Sequence, residues 1–177
     1  MVENIHTRVL NAPVEVVGNL IDRLASRDEA LWPTNRWPPM RFDRPLGVGA
    51  AGGHGPIRYF VESFEPGRSI TFRFTSPKGY VGFHSLDVNE IEPGVVQLRH
   101  VLRMRTTGMT RLAWPLAFRW LHDALVEDAF DRAETYCTSR VLSERQLSIW
   151  VRILRYLMSS KRARVLIKRR TNAAVQK

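Results

Sequence analysis

The fold is decided by residues 80–106, which have the sequence YVGFHSLDVNEIEPGVVQLRHVLRMRT. β-Branched and aromatic residues alternate with polar residues on both sides of a central Glu-Pro-Gly turn. Proline presets φ for such a turn, and glycine supplies the positive φ that closes it. The pattern therefore predicts two antiparallel strands, Tyr80 to Ile91 and Val95 to Thr106, joined by Glu92-Pro93-Gly94.

A three-residue turn fixes the register of this hairpin. It places Val88 opposite Leu98 and Leu86 opposite His100, so the even-numbered residues of both strands share one face. That face is predicted to be dry: His84, Leu86, Val88, Val96, Leu98, His100, Leu102 and Met104. The opposite face is polar and is expected to contact water: Asp87, Asn89, Gln97, Arg99, Arg103 and Arg105.

The segments on either side of the hairpin complete one layered fold. Two further strands are predicted before it, Ile57 to Phe64 and Ser69 to Thr75. After it, Thr110 to Cys137 has an apolar stripe at helical spacing and predicts one long helix. A sheet with one apolar face and a single amphipathic helix pack best when the sheet curls around the helix. We therefore predict an α+β helix-grip fold, with a curved antiparallel sheet wrapped around a long C-terminal helix.

The first 56 residues add one more helix and several loops. Asn4 to Leu10 is predicted to be extended, and its inward-facing side cannot be chosen from the sequence. Pro13 to Ala25 has apolar residues at three- and four-residue spacing, which predicts a helix opened by Asn11-Ala12-Pro13. Asp28 to Trp32 is predicted to form a short helix. The Pro- and Gly-rich stretch Pro33 to Pro56 predicts short edge strands and loops.

The order of elements resembles the START/Bet v 1-like (SRPBCC) superfamily of polyketide cyclases and lipid-transfer proteins. The similar segments are Leu10 to Pro13 with the helix behind it, Tyr59 to Arg68, Gly82 to Leu86, and the closing helix. They cover roughly the first 137 residues. The resemblance implies the same fold and a hydrophobic small molecule held in an internal cavity. The superfamily has no universal catalytic signature to transfer, and a fold alone does not give an activity.

The predicted cavity face nominates the ligand-binding side chains. These are Tyr59, Phe72, Phe74, His84, Leu86, His100, Leu102, Met104, Phe118, Leu121 and Leu125. Neutral His84 and His100, together with Tyr59, could orient or deprotonate a polyphenolic ligand and are the candidate catalytic residues. The alternative is that each histidine is a packed side chain bonded to backbone or water, and that Tyr59 has a structural partner.

Other clusters have plainer explanations. Asp123, Glu127 and Asp131 share one helix face near His122, which could form a metal site or a general base. A hard-metal site needs ligands from more than one element, and the sequence nominates none, so an acidic face in water or paired with Arg99, Arg103 and Arg105 is expected and no metal is predicted. Trp32 and Trp37, with Met40 and Phe42, flank a glycine-rich loop and are predicted to gate the cavity.

Net charge divides the chain into two parts. Residues 1–137 contain 16 basic and 16 acidic residues, whereas residues 138–177 contain 11 basic residues and one acidic residue, a net charge of +10. We predict a helix-grip domain over 1–137 and a basic amphipathic helical tail over 138–177. Ser143 to Gln146 has the form of a capping box and predicts the start of a tail helix.

Three interpretations of the tail remain open at this stage. The helix could lie in an anionic membrane surface, bind a polyanion such as RNA, or pack on its own domain or on a second subunit. The first two place the contact at Trp150, Arg152, Arg155, Lys161, Arg162, Arg164, Lys168, Arg169 and Arg170. Membrane docking explains the aromatic and apolar residues as well as the charge, and RNA binding explains the charge alone.

The sequence supports three functional hypotheses. The first is a non-enzymatic binder or carrier of a lipid or polyketide-like molecule, without a cofactor, whose tail docks on an anionic membrane. The second is a polyketide aromatase/cyclase-like enzyme, and the third is a polyanion-binding module acting through the tail. With one cysteine, no zinc-type spacing and no visible secretory signal, a cytoplasmic location is expected, with peripheral membrane contact through the tail.

Overall fold

A seven-stranded antiparallel sheet forms the body of the protein in the computed structural model, which describes residues 1–139, 143 and 145–158. In chain order the strands are β1 (Val2–Asn11), β2 (Arg41–Phe42), β3 (Ala51–His54), β4 (Ile57–Glu65), β5 (Ser69–Ser76), β6 (Tyr80–Glu92) and β7 (Val95–Thr106). Their order across the sheet is β1-β7-β6-β5-β4-β3-β2. Consecutive strands from β2 to β7 are therefore neighbours, and β1 closes the sheet beside β7.

In the part of the chain that the structure describes, four α-helical segments accompany the sheet. These are α1 (Val14–Asp22), α2 (Thr110–Ala113), α3 (Arg119–Thr138) and α4 (149–158). A π-helical turn, Trp114–Phe118, joins α2 to α3 and contains Pro115, so the chain is helical without interruption from 110 to 138. The sheet curls around α3, as predicted, and the architecture is an α+β helix-grip fold.

The register predicted for the β6–β7 hairpin is confirmed. Val88 pairs with Leu98 and Leu86 pairs with His100. The eight residues predicted to be dry are all buried: His84, Leu86, Val88, Val96, Leu98, His100, Leu102 and Met104. The alternating pattern and the three-residue turn were therefore sufficient to define this part of the core.

Several local predictions for the N-terminal region are wrong. Helix α1 ends at Asp22 rather than Ala25, because Ala25 has a φ of 60° and lies outside the helical region. Residues 28–32 are not helical; the Glu29 carboxylate accepts hydrogen bonds from the backbone N–H of Ala25 and of Trp32 and holds this segment as a loop. Asn11 does not cap α1, whose first residue follows Pro13 without a side-chain cap.

Helix α4 begins later than the sequence predicts. Residues 145–148 are not helical, and Ser148 Oγ accepts a hydrogen bond from the N–H of Val151, which is the geometry of an N-cap. Val151 and Leu154 are buried against the rest of the protein. Lys161, Arg162, Arg164, Lys168, Arg169 and Arg170, the predicted basic contacts of the tail, lie outside the described residues. No helix among the described residues is long and apolar enough to cross a bilayer.

Candidate functional site

A cavity of about 530 Å³ lies between the concave face of the sheet and α3. Except for Tyr59, the side chains predicted to bind a ligand all line it. They are Phe72, Phe74, His84, Leu86, His100, Leu102, Met104, Phe118, Leu121 and Leu125. A mostly apolar cavity with a few convergent polar groups is the usual form of a small-molecule site, and its volume falls in the usual range of roughly 300–1,000 Å³.

Tyr59 has a structural partner instead of a place on the cavity wall. Its ring packs against Phe72 and His84, and its hydroxyl lies 3.0 Å from His54 Nδ1. Burial raises the pKa of Tyr59 well above its usual value, so the phenol stays protonated. Tyr59 therefore supports the wall from behind.

Tyr80, and not Tyr59 as the sequence predicts, is the tyrosine that lies on the cavity wall. It lines the cavity, and its ring contacts those of Trp114 and Phe118 edge-on. The signal was present in the sequence, because Tyr80 begins β6 with the same parity as His84 and Leu86. Strand alternation alone would have placed it on the cavity face.

Three cavity groups have buried polar atoms without a hydrogen-bond partner among the described residues: Tyr80 OH, His84 Nε2 and His100 Nδ1. Buried polar atoms are nearly always hydrogen-bonded, because an unsatisfied one costs about 1–3 kcal/mol. Three such atoms in one apolar cavity indicate a place for the polar groups of a ligand.

Burial sets the charge of these groups. It lowers the pKa of both His84 and His100 well below the usual value, and neighbouring histidines add to the effect. It also raises the pKa of Tyr80. At neutral pH the polar wall is therefore uncharged, with two imidazoles and a phenol that can each donate or accept a hydrogen bond.

All five histidines of the chain belong to one row of rings that also includes Tyr59. His84 lies 5.6 Å from His100, and His100 lies 4.9 Å from His122, measured between ring centroids. His6 follows at 6.0 Å from His122. The row runs from the polar wall of the cavity to the contact between β1 and α3.

The acidic face of α3 packs on β1. Arg8 donates to Glu127, Asp131 and Glu134, and His6 lies within hydrogen-bond distance of Glu127. Arg145, just before α4, adds a second guanidinium near Asp131. The expectation of an arginine-paired face is thus met by other arginines than those nominated, since Arg99, Arg103 and Arg105 have the opposite parity on β7.

The predicted gate residues Trp32 and Trp37 both line the cavity and are buried. The indole N–H of Trp37 donates to Asp128 Oδ2 at 2.6 Å, and that of Trp32 donates to the carbonyl of Pro38 at 2.9 Å. Arg36 also donates to Asp128. These bonds fix both rings in the wall, and their role as a gate remains a prediction.

Helix α4 completes the wall on this side. The Arg155 guanidinium lies 4.9 Å from the centroid of the Trp37 ring and donates to the carbonyl of Arg36. Arg152 and Tyr156 also line the cavity, and Trp150 donates to the carbonyl of Leu116. The structure thus places Arg155, nominated for membrane or polyanion contact, against the domain itself.

Comparison with solved structures identifies the architecture. CalU16 from Micromonospora echinospora is similar with a TM-score of 0.54 and 17% identity, over 77% of this chain and 76% of that chain. A protein from Thermobifida fusca is similar with a TM-score of 0.59 and 14% identity, over 82% of this chain and 100% of that chain. One from Nitrosospira multiformis has a TM-score of 0.59 and 12% identity, over 78% of this chain and 97% of that chain. The chain has a helix-grip fold. No protein-family model matches the sequence, and no curated protein matches it. Identities this low establish the fold alone.

Proposed function

We propose that this protein is a member of the SRPBCC superfamily that binds and carries a lipid or polyketide-like small molecule. The observation that carries the proposal is the apolar cavity of about 530 Å³, where Tyr80 OH, His84 Nε2 and His100 Nδ1 have no hydrogen-bond partner among the described residues. Aromatic and aliphatic walls bind the body of the ligand, and these atoms bind its polar end.

The chemistry of the polar wall narrows the ligand class. Neutral imidazoles and a protonated phenol satisfy hydroxyl and carbonyl oxygens without a fixed charge. A carboxylate bound to His84 and His100 would lose its hydration, and these uncharged imidazoles would not replace it with a positive charge, which is unfavourable. The expected ligand therefore has a phenol, enol or ketone at the end that reaches His84 and His100.

Native mass spectrometry with organic extraction of the full chain tests this function. A carrier with this cavity should retain an apolar molecule from the host that is released by extraction. The neutral fluorescent probe N-phenyl-1-naphthylamine should then bind to the extracted protein. A protein that holds no extractable molecule and does not bind the probe would exclude the proposal.

Tyr80→Phe separates ligand recognition from stability. Because the Tyr80 hydroxyl has no partner among the described residues, its removal should leave the free energy of unfolding unchanged or slightly increased. The variant should bind 2-naphthol about 2- to 12-fold more weakly than wild type, the equivalent of one hydrogen bond. Binding of 2-methylnaphthalene, which has no hydroxyl, should not change. Isothermal titration and chemical denaturation measure the two effects.

Tyr59→Phe is the matched control, since it deletes the same atom from a phenol that does have a partner, His54. This variant should lose about 1 kcal/mol of stability and keep its affinity for 2-naphthol. If instead Tyr59→Phe weakens binding of 2-naphthol and Tyr80→Phe does not, the polar end of the ligand does not lie at Tyr80.

We further propose that the carrier loads and unloads at an anionic membrane surface. Helix α4 presents an apolar face to solvent beside an exposed stretch that runs from α2 through the π-helical turn to the start of α3, and the bond from Trp150 to Leu116 joins the two. The exposed side chains are Leu112, Leu116, Trp120, Ile149, Trp150, Ile153, Tyr156 and Leu157. The net charge of +10 lies in residues 138–177, which include Arg152 and Arg155 of α4, and basic residues near anionic lipid contribute about 1 kcal/mol each.

Ile153→Glu should weaken binding to phosphatidylserine-containing vesicles at least about tenfold in co-sedimentation, because it removes an apolar side chain from the interface and adds a repelled carboxylate. Ile91→Glu is the control. It makes the same charge change at a similarly exposed isoleucine, with 54% of Ile91 exposed against 43% of Ile153, on a strand outside the proposed surface. If both variants lose vesicle binding equally, the loss comes from the added negative charge alone, which would contradict docking through α4.

A further inference from the structure

A second polar site lies at the contact between β1 and α3. His6 comes from the sheet, and His122 and Asp123 come from the helix. One ligand atom from each lies within 4.8 Å of the others. From the sequence, only residues of α3 could be nominated as metal ligands. The fold adds His6 of β1, so the ligands come from two elements. We propose that His6, His122 and Asp123 bind a divalent transition-metal ion of the zinc type.

The distances suit metal ligands better than hydrogen bonds. His6 Nε2 lies 3.3 Å and His122 Nδ1 lies 3.5 Å from the same Asp123 oxygen, Oδ1. Both distances are long for a charge-assisted hydrogen bond, which is about 2.7–2.9 Å. Zinc bonds of about 2.0–2.2 Å at tetrahedral angles separate neighbouring ligand atoms by about 3.4 Å. Two of the required separations are therefore present already.

The groups around these ligands are those that orient metal-binding side chains. His6 Nδ1 lies 2.7 Å from Glu127 Oε1, and a proton on Nδ1 leaves the lone pair of Nε2 directed at Asp123. Asn4 Nδ2 donates to Asp123 Oδ1 at 2.9 Å and fixes that carboxylate. A histidine that donates its other ring N–H to a carboxylate is the typical arrangement around bound zinc.

Asn4 also provides an independent indication of a missing group. Its Oδ1 is buried and has no hydrogen-bond partner among the described residues, although the Nδ2 of the same amide is bound to Asp123. A buried acceptor of this kind requires a donor that the described side chains do not supply. Water completing the coordination of an ion held by three protein ligands would be that donor.

The ion would join the sheet edge to the helix beside the cavity. His122 lines the cavity, and its ring lies 4.9 Å from that of His100. Imidazole and carboxylate ligands suit Zn²⁺ and Co²⁺, whereas Mg²⁺ and Ca²⁺ prefer oxygen ligands alone. The site is therefore expected to discriminate against the two alkaline-earth ions.

The test uses the full chain purified without a histidine tag and stripped with a chelator. Titration with Zn²⁺ should give one binding event and a higher unfolding temperature, Mg²⁺ should give neither, and Co²⁺ should develop the visible absorption of four-coordinate cobalt. His6→Gln and His122→Gln should each weaken Zn²⁺ binding about 10- to 100-fold or more. His54→Gln, the same change at a histidine outside the site, should not.

A measurement on wild type tests the same site without depending on whether the variants fold. The imidazole ¹⁵N resonances of His6 and His122 should shift on addition of Zn²⁺, whereas those of His54 should stay in place. Absence of Zn²⁺ binding to wild type would overturn the proposal. So would binding that is retained in both site variants, or resonance shifts at His84 and His100 instead.

Discussion

Ala129→Trp is expected to abolish binding of N-phenyl-1-naphthylamine, with a loss of about 100-fold or more, equivalent to about 2.7 kcal/mol. Ala129 lies on α3 and lines the cavity, so an indole at this position occupies the space that a ligand would take. In a tightly packed core the same enlargement costs about 1–3 kcal/mol of stability. Here the indole enters open space with apolar walls, and the unfolding midpoint should be unchanged or higher.

The pairing of lost binding with retained stability makes this result informative. Ala51→Trp is the control, because Ala51 is an exposed alanine on β3 where an indole contacts solvent. It should bind the probe as wild type does. Probe binding that survives Ala129→Trp would place the probe elsewhere, and destabilisation by several kcal/mol would mean that the space beside α3 is closed.

Gly18→Ala is expected to destabilise the protein by about 2–3 kcal/mol, which corresponds to a fall in melting temperature of roughly 4–12 °C. Alanine in the middle of a helix normally gains about 1 kcal/mol over glycine. In α1, however, a Cβ at Gly18 would lie 2.4 Å from the carbonyl oxygen of Gly67 and 2.7 Å from its Cα. These are backbone atoms, so the clash cannot be relieved by a side-chain rotation.

The clash matters because α1 docks on the β4–β5 turn at this point. Asp22 accepts a hydrogen bond from the N–H of Gly67 at 2.8 Å, and separating the two backbones would stretch it. Asn19→Ala, at the next and exposed position of α1, is the matched control and should be neutral or slightly stabilising. Thermal or denaturant unfolding of both variants measures whether each one raises or lowers the free energy of unfolding. Equal stability of the two variants would show that the turn yields without cost.

Much of the cavity could be predicted from the sequence because strand alternation is a strict geometric rule. The hairpin register placed His84 and His100 on one face, and both line the cavity. Tyr59 shows the limit of the rule. Its side chain does face the core, but His54 and Phe72 lie against it, and alternation cannot reveal which inward side chain lies behind another.

Strand β1 shows a limit of a different kind. Its odd positions include Ile5 and Val9, and an apolar pattern alone would turn them inward. The structure exposes both and directs Asn4, His6 and Arg8 towards α3. The reason is non-local, since the carboxylates of α3 require cationic and hydrogen-bonding partners when they are half-buried. Neither segment by itself contains that information.

The position of β1 at the edge next to β7 also governs how the molecule can assemble during synthesis. Asn11 pairs with Val95 and Val2 pairs with Met104, so the first strand of the sheet cannot pair until the last strand has been synthesised. At about 5–20 residues per second the delay is roughly 4–20 s on the ribosome. Such distant pairing also slows folding, because the loop must close before its contacts form. Strands β2 to β7 can form an antiparallel meander first, and β1 then pairs with β7 to complete the sheet.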